Sequence, residues 1–126
     1  MMITDQQYEA MVLKLAKPGQ DIRASLTPEK ARILHSICGL SSEVGELMDA
    51  IKKSKIYGRS LDRVNLVEEM GDVMWYFAIL ADELGVSFEE IWEKNINKLR
   101  QRYPEKYSDA SFDQRDVVAE RKILES

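Results

Sequence analysis

Two pairs of acidic residues lie inside long, largely apolar stretches of this sequence. Glu43 and Glu46 form the first pair, and Glu69 and Asp72 form the second. Each pair has i, i+3 spacing, so its two carboxylates point the same way if the stretch is helical. A carboxylate beside a core has to be hydrated, paired or bound to a metal ion, because burying an unpaired charge is costly. The pattern predicts that these acids hold a hard divalent cation, with Mg²⁺ as the expected ion and Mn²⁺ as its substitute.

The stretches that carry the acids have the caps and the periodicity of helices. Thr27 followed by Pro28 predicts the start of one helix, and a second helix is predicted from about Asp62 to Leu84. Apolar residues recur at intervals of three and four along both, which is typical of one buried helix face. These positions are Ile33, Ile37, Leu40, Val44, Leu47 and Ile51 in the first helix and Leu66, Met70, Val73, Phe77, Leu80 and Leu84 in the second.

The acids lie at the boundary of these apolar stripes. Since a helix turns about 100° per residue, Glu43 and Glu46 fall about 80° and 140° from the centre of their stripe. Glu69 and Asp72 fall about 60° and 120° from the centre of theirs, on the same side. If the two helices form an antiparallel hairpin, the four acids can converge, and their mutual repulsion then requires a counter-ion.

A later helix, predicted between Ser87 and Pro104, carries a polar stripe beside its apolar side. Asn95, Lys98 and Arg102 share one face at i, i+3 and i+7. We expect Lys98 and Arg102 to bind phosphate oxygens and Asn95 to bind a base, sugar or phosphate. An acidic metal site facing such a stripe suits a nucleoside polyphosphate, whose charge the metal neutralises. A solvated or ion-pairing face is the simpler alternative for these three residues.

The remaining pattern predicts an all-α protein, a four-helix bundle with a short C-terminal tail or helix. Another helix is expected from Thr4 to about Lys17, followed by a loop to about Leu26, and Asp113 to Leu124 is expected to form a weak helix. The chain is predicted to be a single domain over residues 1–126, with its core at about 27–104. The helix that contains Trp75 is apolar on two faces, which predicts contact with another subunit.

Composition excludes several classes of function. A net charge of −4 argues against a nucleic-acid-binding surface. Cys38 and His35 are the only residues of their types, so an internal disulfide, a cysteine-based zinc site and a multi-histidine site are excluded. The N-terminus has no signal-peptide pattern and no apolar run would span a bilayer, so we expect no membrane association and a cytoplasmic location.

The ordered motifs resemble those of the MazG-like nucleotide pyrophosphohydrolases, part of the all-α NTP pyrophosphatase superfamily. The family pattern is Glu-Glu-x-x-Glu, a spacer, and Glu-x-x-Asp. The corresponding residues here are Ser42-Glu43-x-x-Glu46 and Glu69-x-x-Asp72, followed by Asn95-x-x-Lys98 and Arg102-Tyr103-Pro104. The resemblance covers roughly Leu34 to Arg115. Ser42 departs from the pattern because it stands where the fuller motif has Glu.

The resemblance implies hydrolysis between the α and β phosphates of a nucleoside triphosphate, giving a monophosphate and pyrophosphate. Glu43, Glu46, Glu69 and Asp72 would bind Mg²⁺, with one of them orienting the attacking water, while Asn95, Lys98 and Arg102 would bind the nucleotide. It also implies a homodimer or a dimer of dimers. Hydrolysis of dUTP, dCTP or phosphoribosyl-ATP, and a non-catalytic helical module that binds a nucleotide or a partner, are the alternatives. A carboxylate-bridged di-iron bundle is disfavoured, because the sequence has no Glu-x-x-His.

Overall fold

The computed structural model describes residues 2–126, which form seven α-helices and no β-strand. The helices are α1 (Asp5–Leu15), α2 (Gly19–Ser25), α3 (Pro28–Lys55), α4 (Arg63–Leu84), α5 (Phe88–Arg102), α6 (Asp109–Asp113) and α7 (Val117–Glu125). The predicted all-α class is confirmed. Within the described range, no helix is both long enough and apolar enough to cross a membrane.

The principal helices begin and end where the local sequence predicts. The Thr27 side chain accepts a hydrogen bond from the backbone N–H of Lys30 at the start of α3. The Asp62 carboxylate does the same for the N–H of Asn65 at the start of α4. Gly85 ends α4 with φ of 67°, a left-handed conformation that glycine adopts without a steric penalty. These ends are set by contacts within a few residues, which is why sequence patterns predict them.

The structure differs from the prediction in one loop and in the start of the C-terminal helix, which is otherwise confirmed. The stretch predicted as a loop before Leu26 contains α2, which begins after Pro18, whose carbonyl accepts hydrogen bonds from the N–H groups of Asp21 and Ile22. A helix of seven residues is too short to show an apolar repeat, so its sequence gave no helical signal. The C-terminal helix begins at Val117, four residues later than predicted, because the Asp116 side chain caps it.

Helices α3 and α4 form the antiparallel hairpin on which the convergence of the acids depends. At one end, Nη1 of Arg32 lies 2.9 Å from Oδ2 of Asp82 and 3.0 Å from Oε2 of Glu83. Further along, Gly39 contacts the Tyr76 ring. The pairings run in opposite directions along the two helices, so residues that approach the C-terminus of α3 approach the N-terminus of α4.

The face of α3 that is buried in this hairpin is not the centre of its apolar stripe. The buried residues of α3 are Ser36, Gly39 and Ala50, all of them small. Ile37 and Val44, in the middle of the apolar stripe, remain 48% and 51% exposed. Small side chains allow the two helix backbones to approach closely, and the hairpin interface is therefore rotated from the apolar stripe towards the acids.

The other extensive helix pair in the described residues is formed by α5 and α7. The two pairs leave most of the large apolar side chains accessible, and the buried apolar residues are Ala50 and Ala81. A chain of this length normally buries a substantial core. Within residues 2–126 of one chain, most of the large apolar side chains of the α3–α4 hairpin are therefore left uncovered.

Candidate metal and nucleotide site

Three of the four predicted acids come together across the α3–α4 hairpin. Glu43, Glu69 and Asp72 each place one carboxylate oxygen within 4.8 Å of the other two. Glu43 and Glu69 are half-buried, whereas Asp72 is exposed. With metal–oxygen distances of about 2.1 Å, opposite ligands of Mg²⁺ lie about 4.2 Å apart. A group of three oxygen ligands with this spread fits a hard divalent cation, and small side-chain rotations would close it around one.

Glu46 lies outside this group of three, although its charge acts on the group. Burial raises the pKa of Glu43 above its ordinary value, and the negative charges of Asp72, Glu69 and Glu46 raise it further. The side chain of Glu46 itself is exposed, one turn along α3 from Glu43. A bound cation would reduce the repulsion among these carboxylates.

Asn65 orients one of the acids. Its Nδ2 donates a hydrogen bond to Oε1 of Glu69 at a distance of 2.8 Å. Asn65 precedes Glu69 by one helical turn, so the two side chains share a face of α4. Groups that hold metal ligands in this way are a regular part of metal sites. Asn65 was not among the predicted site residues, although its i, i+4 spacing from Glu69 indicates such a contact.

A close contact between Gly39 and Tyr76 fixes the separation of the helices beside the acids. A Cβ atom at Gly39 would lie only 2.1 Å from Cε1 of Tyr76, so the tyrosine ring rests directly on the α3 backbone. The ring also meets His35 edge-on, with 5.9 Å between ring centroids. Gly39 lies one turn before Glu43, and Tyr76 lies one turn after Asp72. The contact therefore adjoins the acid group.

Comparison with known proteins agrees with this arrangement. Residues 33–107 match the MazG nucleotide pyrophosphohydrolase domain, and this segment contains the acid group and the parts of α3 and α4 that form it. The chain belongs to the MazG nucleotide pyrophosphohydrolase domain family. The MazG domain is thus built around the hairpin that carries the predicted acids.

Two curated relatives share about half of this MazG chain. The Gene 37 protein of Mycobacterium phage L5 is 39% identical over 71 residues, which cover 51% of this chain and 60% of the phage protein. The uncharacterized protein YvdC of Bacillus subtilis (strain 168) is 37% identical over 73 residues, which cover 51% of this chain and 69% of that protein. The match therefore spans less than two thirds of the phage relative. No solved structure matches the chain.

The polar stripe on α5 of this MazG domain does not meet the acids within one chain. Asn95 is exposed and Lys98 is half-buried. Among the described residues, α5 packs extensively against α7 and makes no comparable contact with α3 or α4. Nucleotide binding by Asn95 and Lys98 stays a prediction.

Arg102 forms an ion pair with Glu120, and an ion-pairing role was the alternative to phosphate binding for this residue. Its Nε lies 2.8 Å from Oε1 of Glu120, and its Nη2 lies 2.9 Å from Oε2 of the same carboxylate. The Nε of Arg115 donates to Oε2 of Glu120 at 3.0 Å. Glu120 is buried, and the hydrogen bond from Arg102, together with that from Arg115, lowers its pKa to about 2.

The Nε and Nη2 groups of Arg102 therefore both donate to the Glu120 carboxylate in this structure. A phosphate would have to displace that carboxylate before it could bind Arg102 in the same way. Glu120 could not be predicted as the partner of Arg102, because it lies 18 residues away and no helical periodicity connects the two residues. Only the packing of α7 against α5 brings the two side chains together.

Proposed function

We propose that the protein is a divalent-cation-dependent nucleoside triphosphate pyrophosphohydrolase that cleaves the bond between the α and β phosphates. The observation that carries the proposal is the approach of Glu43, Glu69 and Asp72 to within 4.8 Å in a domain of the MazG family. Oxygen ligands alone favour Mg²⁺, or Mn²⁺ in its place, over zinc or copper. The substrate class follows from the family and not from the acid group.

In this proposal the four acids have two roles. Glu43, Glu69 and Asp72 hold the ion, which when bound neutralises charge on the phosphate oxygens. Asn65 keeps the Glu69 carboxylate in position through its 2.8 Å hydrogen bond. Glu46, exposed and outside the group of three, orients a water molecule and accepts its proton. The water oxygen bonds to the α phosphorus, the bond from that phosphorus to the bridging oxygen breaks, and pyrophosphate leaves.

We also propose that the protein works as a homodimer or a dimer of dimers. Large exposed apolar side chains run along both helices of the hairpin, and exposed apolar surface of this extent is typical of an interaction surface. They are Leu34, Ile37, Val44, Met48 and Ile51 of α3 and Val64, Val67, Met70, Met74, Trp75 and Phe77 of α4. A second copy covering this patch would supply the core that one chain lacks.

Pyrophosphate release from a panel of nucleotides tests the proposed activity. The panel contains the common (d)NTPs, dUTP, dCTP, base-damaged nucleotides and phosphoribosyl-ATP, each assayed with Mg²⁺ and with a chelator. We expect chelator-sensitive release from one or a few of them. Absence of release from every nucleotide would refute the activity as stated.

Binding without turnover is the outcome expected of the second candidate, a non-catalytic nucleotide-binding module. The observation that favours it is Ser42, which is exposed on α3 beside Glu43 and supplies no charge where the fuller motif has Glu. Calorimetric titration of the same nucleotides separates the two candidates. Nucleotide binding with no pyrophosphate release would establish the module in place of the enzyme.

A further inference from the structure

A charged depression lies beyond Glu46, where α3 ends. It has a volume of about 780 Å³ and is lined by Asp49, Lys52, Lys53, Tyr57 and Arg59. Three of these side chains are cationic and one is acidic, so the lining has a net positive charge. None of these residues belongs to the acid group on the hairpin.

The turn after α3 holds two of the cations in a defined relation. Gly58 has φ of 65°, which reverses the chain at the end of the helix. The backbone N–H of Arg59 then donates a hydrogen bond to the carbonyl of Lys53 at 3.1 Å. Arg59 is therefore folded back over the last turn of α3, and its backbone position is fixed relative to that of Lys53.

The position of the Lys53 ammonium places the depression near the acids. Its Nζ lies 2.6 Å from Oδ2 of Asp49. The pKa of Lys53 is raised by that hydrogen bond and by the charges of Asp49 and Glu46, while burial and the charge of Arg59 oppose the change. At a rise of 1.5 Å per residue, the level of Asp49 is about 4.5 Å along the α3 axis from Glu46 and about 9 Å from Glu43.

Donors remain available in this cluster for an anion. The Lys53 side chain is 60% exposed, and an ammonium has three donors, of which the contact with Asp49 uses one. Arg59 is exposed and has no ion-pair partner among residues 2–126. A guanidinium and an ammonium directed at the same space can together bind the oxygens of a phosphate group.

We propose that Lys53 and Arg59 form a phosphate subsite for a second phosphate group of the nucleotide, beyond the one that faces Glu43, Glu69 and Asp72. The nucleotide as ligand rests on the proposed function, whereas the binding of phosphate rests on the cluster itself. A phosphate at the far end of a triphosphate and a phosphate on the 3′ position of the ribose have the same chemistry. The subsite is proposed for that chemistry, and the experiment distinguishes the two sources.

Calorimetric binding to the full chain in Mg²⁺ tests the subsite with two probes. Inorganic tripolyphosphate represents the triphosphate end, and adenosine 3′,5′-bisphosphate represents the ribose phosphate. The variants are Lys53→Gln and Arg59→Gln. Matched controls are Lys55→Gln and Arg63→Gln, which remove cations close in the chain that do not line the depression.

We expect Arg59→Gln and Lys53→Gln each to weaken the binding of one of the two probes by roughly tenfold, which is the effect of losing one charge-assisted hydrogen bond. The probe that weakens identifies the source of the phosphate. Arg59→Lys should recover part of the affinity, which a purely structural role of Arg59 would not predict. Binding of both probes within twofold of the controls, or no binding of either probe to the wild-type protein, would overturn the subsite.

The pyrophosphate release assay keeps this test separate from that of the proposed function. Wild-type protein that binds a probe through Arg59 and releases no pyrophosphate supports the subsite and refutes the enzyme. Wild-type protein that releases pyrophosphate, with KM and probe affinity unchanged in both variants, supports the enzyme and overturns the subsite.

Discussion

Substitution of Gly39 by alanine tests whether the contact with Tyr76 sets the spacing of the hairpin. The added Cβ would lie 2.1 Å from Cε1 and 2.3 Å from Cζ of the tyrosine ring. Carbon atoms in contact are about 3.5–4.0 Å apart, so the ring and the backbone would have to separate by about 1.5 Å. Because the ring adjoins Asp72, this movement should also disturb the acid group.

Gly45 provides a matched control on the same helix. A Cβ atom at Gly45 has no other atom within 4 Å. Both glycines lie in the interior of α3, where alanine is favoured over glycine by about 1 kcal/mol. This gain is common to the two variants and cancels in their comparison. Overpacking costs about 1–3 kcal/mol, and this cost should be the whole difference between Gly39→Ala and Gly45→Ala.

Thermal unfolding followed by circular dichroism in chelator measures the difference. At about 4 °C per kcal/mol for a domain of this size, Tm of Gly39→Ala should be about 4–12 °C below Tm of Gly45→Ala. The Mg²⁺ concentration required for half-maximal pyrophosphate release should rise for Gly39→Ala alone. Gly71, also open and within α4, allows a second control through Gly71→Ala.

A Tm for Gly39→Ala that equals or exceeds that of Gly45→Ala would refute the reasoning. It would show that the Tyr76 ring moves aside at no cost, and that the separation of α3 and α4 is set elsewhere along the hairpin.

Three further predictions follow from the charged groups and the exposed face. Glu69→Gln should abolish pyrophosphate release and leave the metal-free Tm unchanged or higher, because one of several like charges is removed. The control is Glu68→Gln, which changes an exposed neighbour outside the acid group and should retain activity. A large fall in the metal-free Tm of Glu69→Gln would instead indicate a structural ion pair. Because the pKa of Glu120 falls from 4.5 to about 2 on folding, its stabilising contribution should be complete above about pH 4.5 and lost as the pH falls towards 2. The difference in Tm between wild type and Glu120→Gln should therefore shrink over that range. A constant difference would contradict the ion pair with Arg102. Trp75→Glu places a charge on the exposed face of α4, where Trp75 is 58% exposed. This variant should be a monomer in sedimentation velocity. An unchanged sedimentation coefficient would argue against this face as the subunit interface.

Much of the fold could be predicted because helix ends and helix faces depend on residues close in the chain. Thr27, Asp62 and Gly85 act as the caps that their types predict. The exceptions are α2 and α6, whose seven and five residues are too few for an apolar repeat to emerge. The meeting of the acids could also be predicted in part, since i, i+3 spacing puts each pair on one helix face and an antiparallel hairpin brings the faces together.

Which of the four acids come together could not be predicted from the sequence. The i, i+3 spacing puts Glu43 and Glu46 on the same side of α3, yet only Glu43 joins Glu69 and Asp72 within 4.8 Å. The selection depends on how far α3 is rotated against α4. That rotation shows in the burial of the small residues Ser36, Gly39 and Ala50 and in the contact of Gly39 with Tyr76, which is distant in the chain.

By itself, the sequence of this protein determined the principal helices, their caps and the candidate acids, because each is encoded by neighbours within one or two turns. Tertiary structure alone decided which acids converge, that Arg102 is bound by Glu120, and that Arg59 folds back over Lys53. The physical reason is that a helix pattern specifies which side chains share a face. It does not specify which partner that face meets, since the partner is chosen by close packing and by charge pairs across the fold.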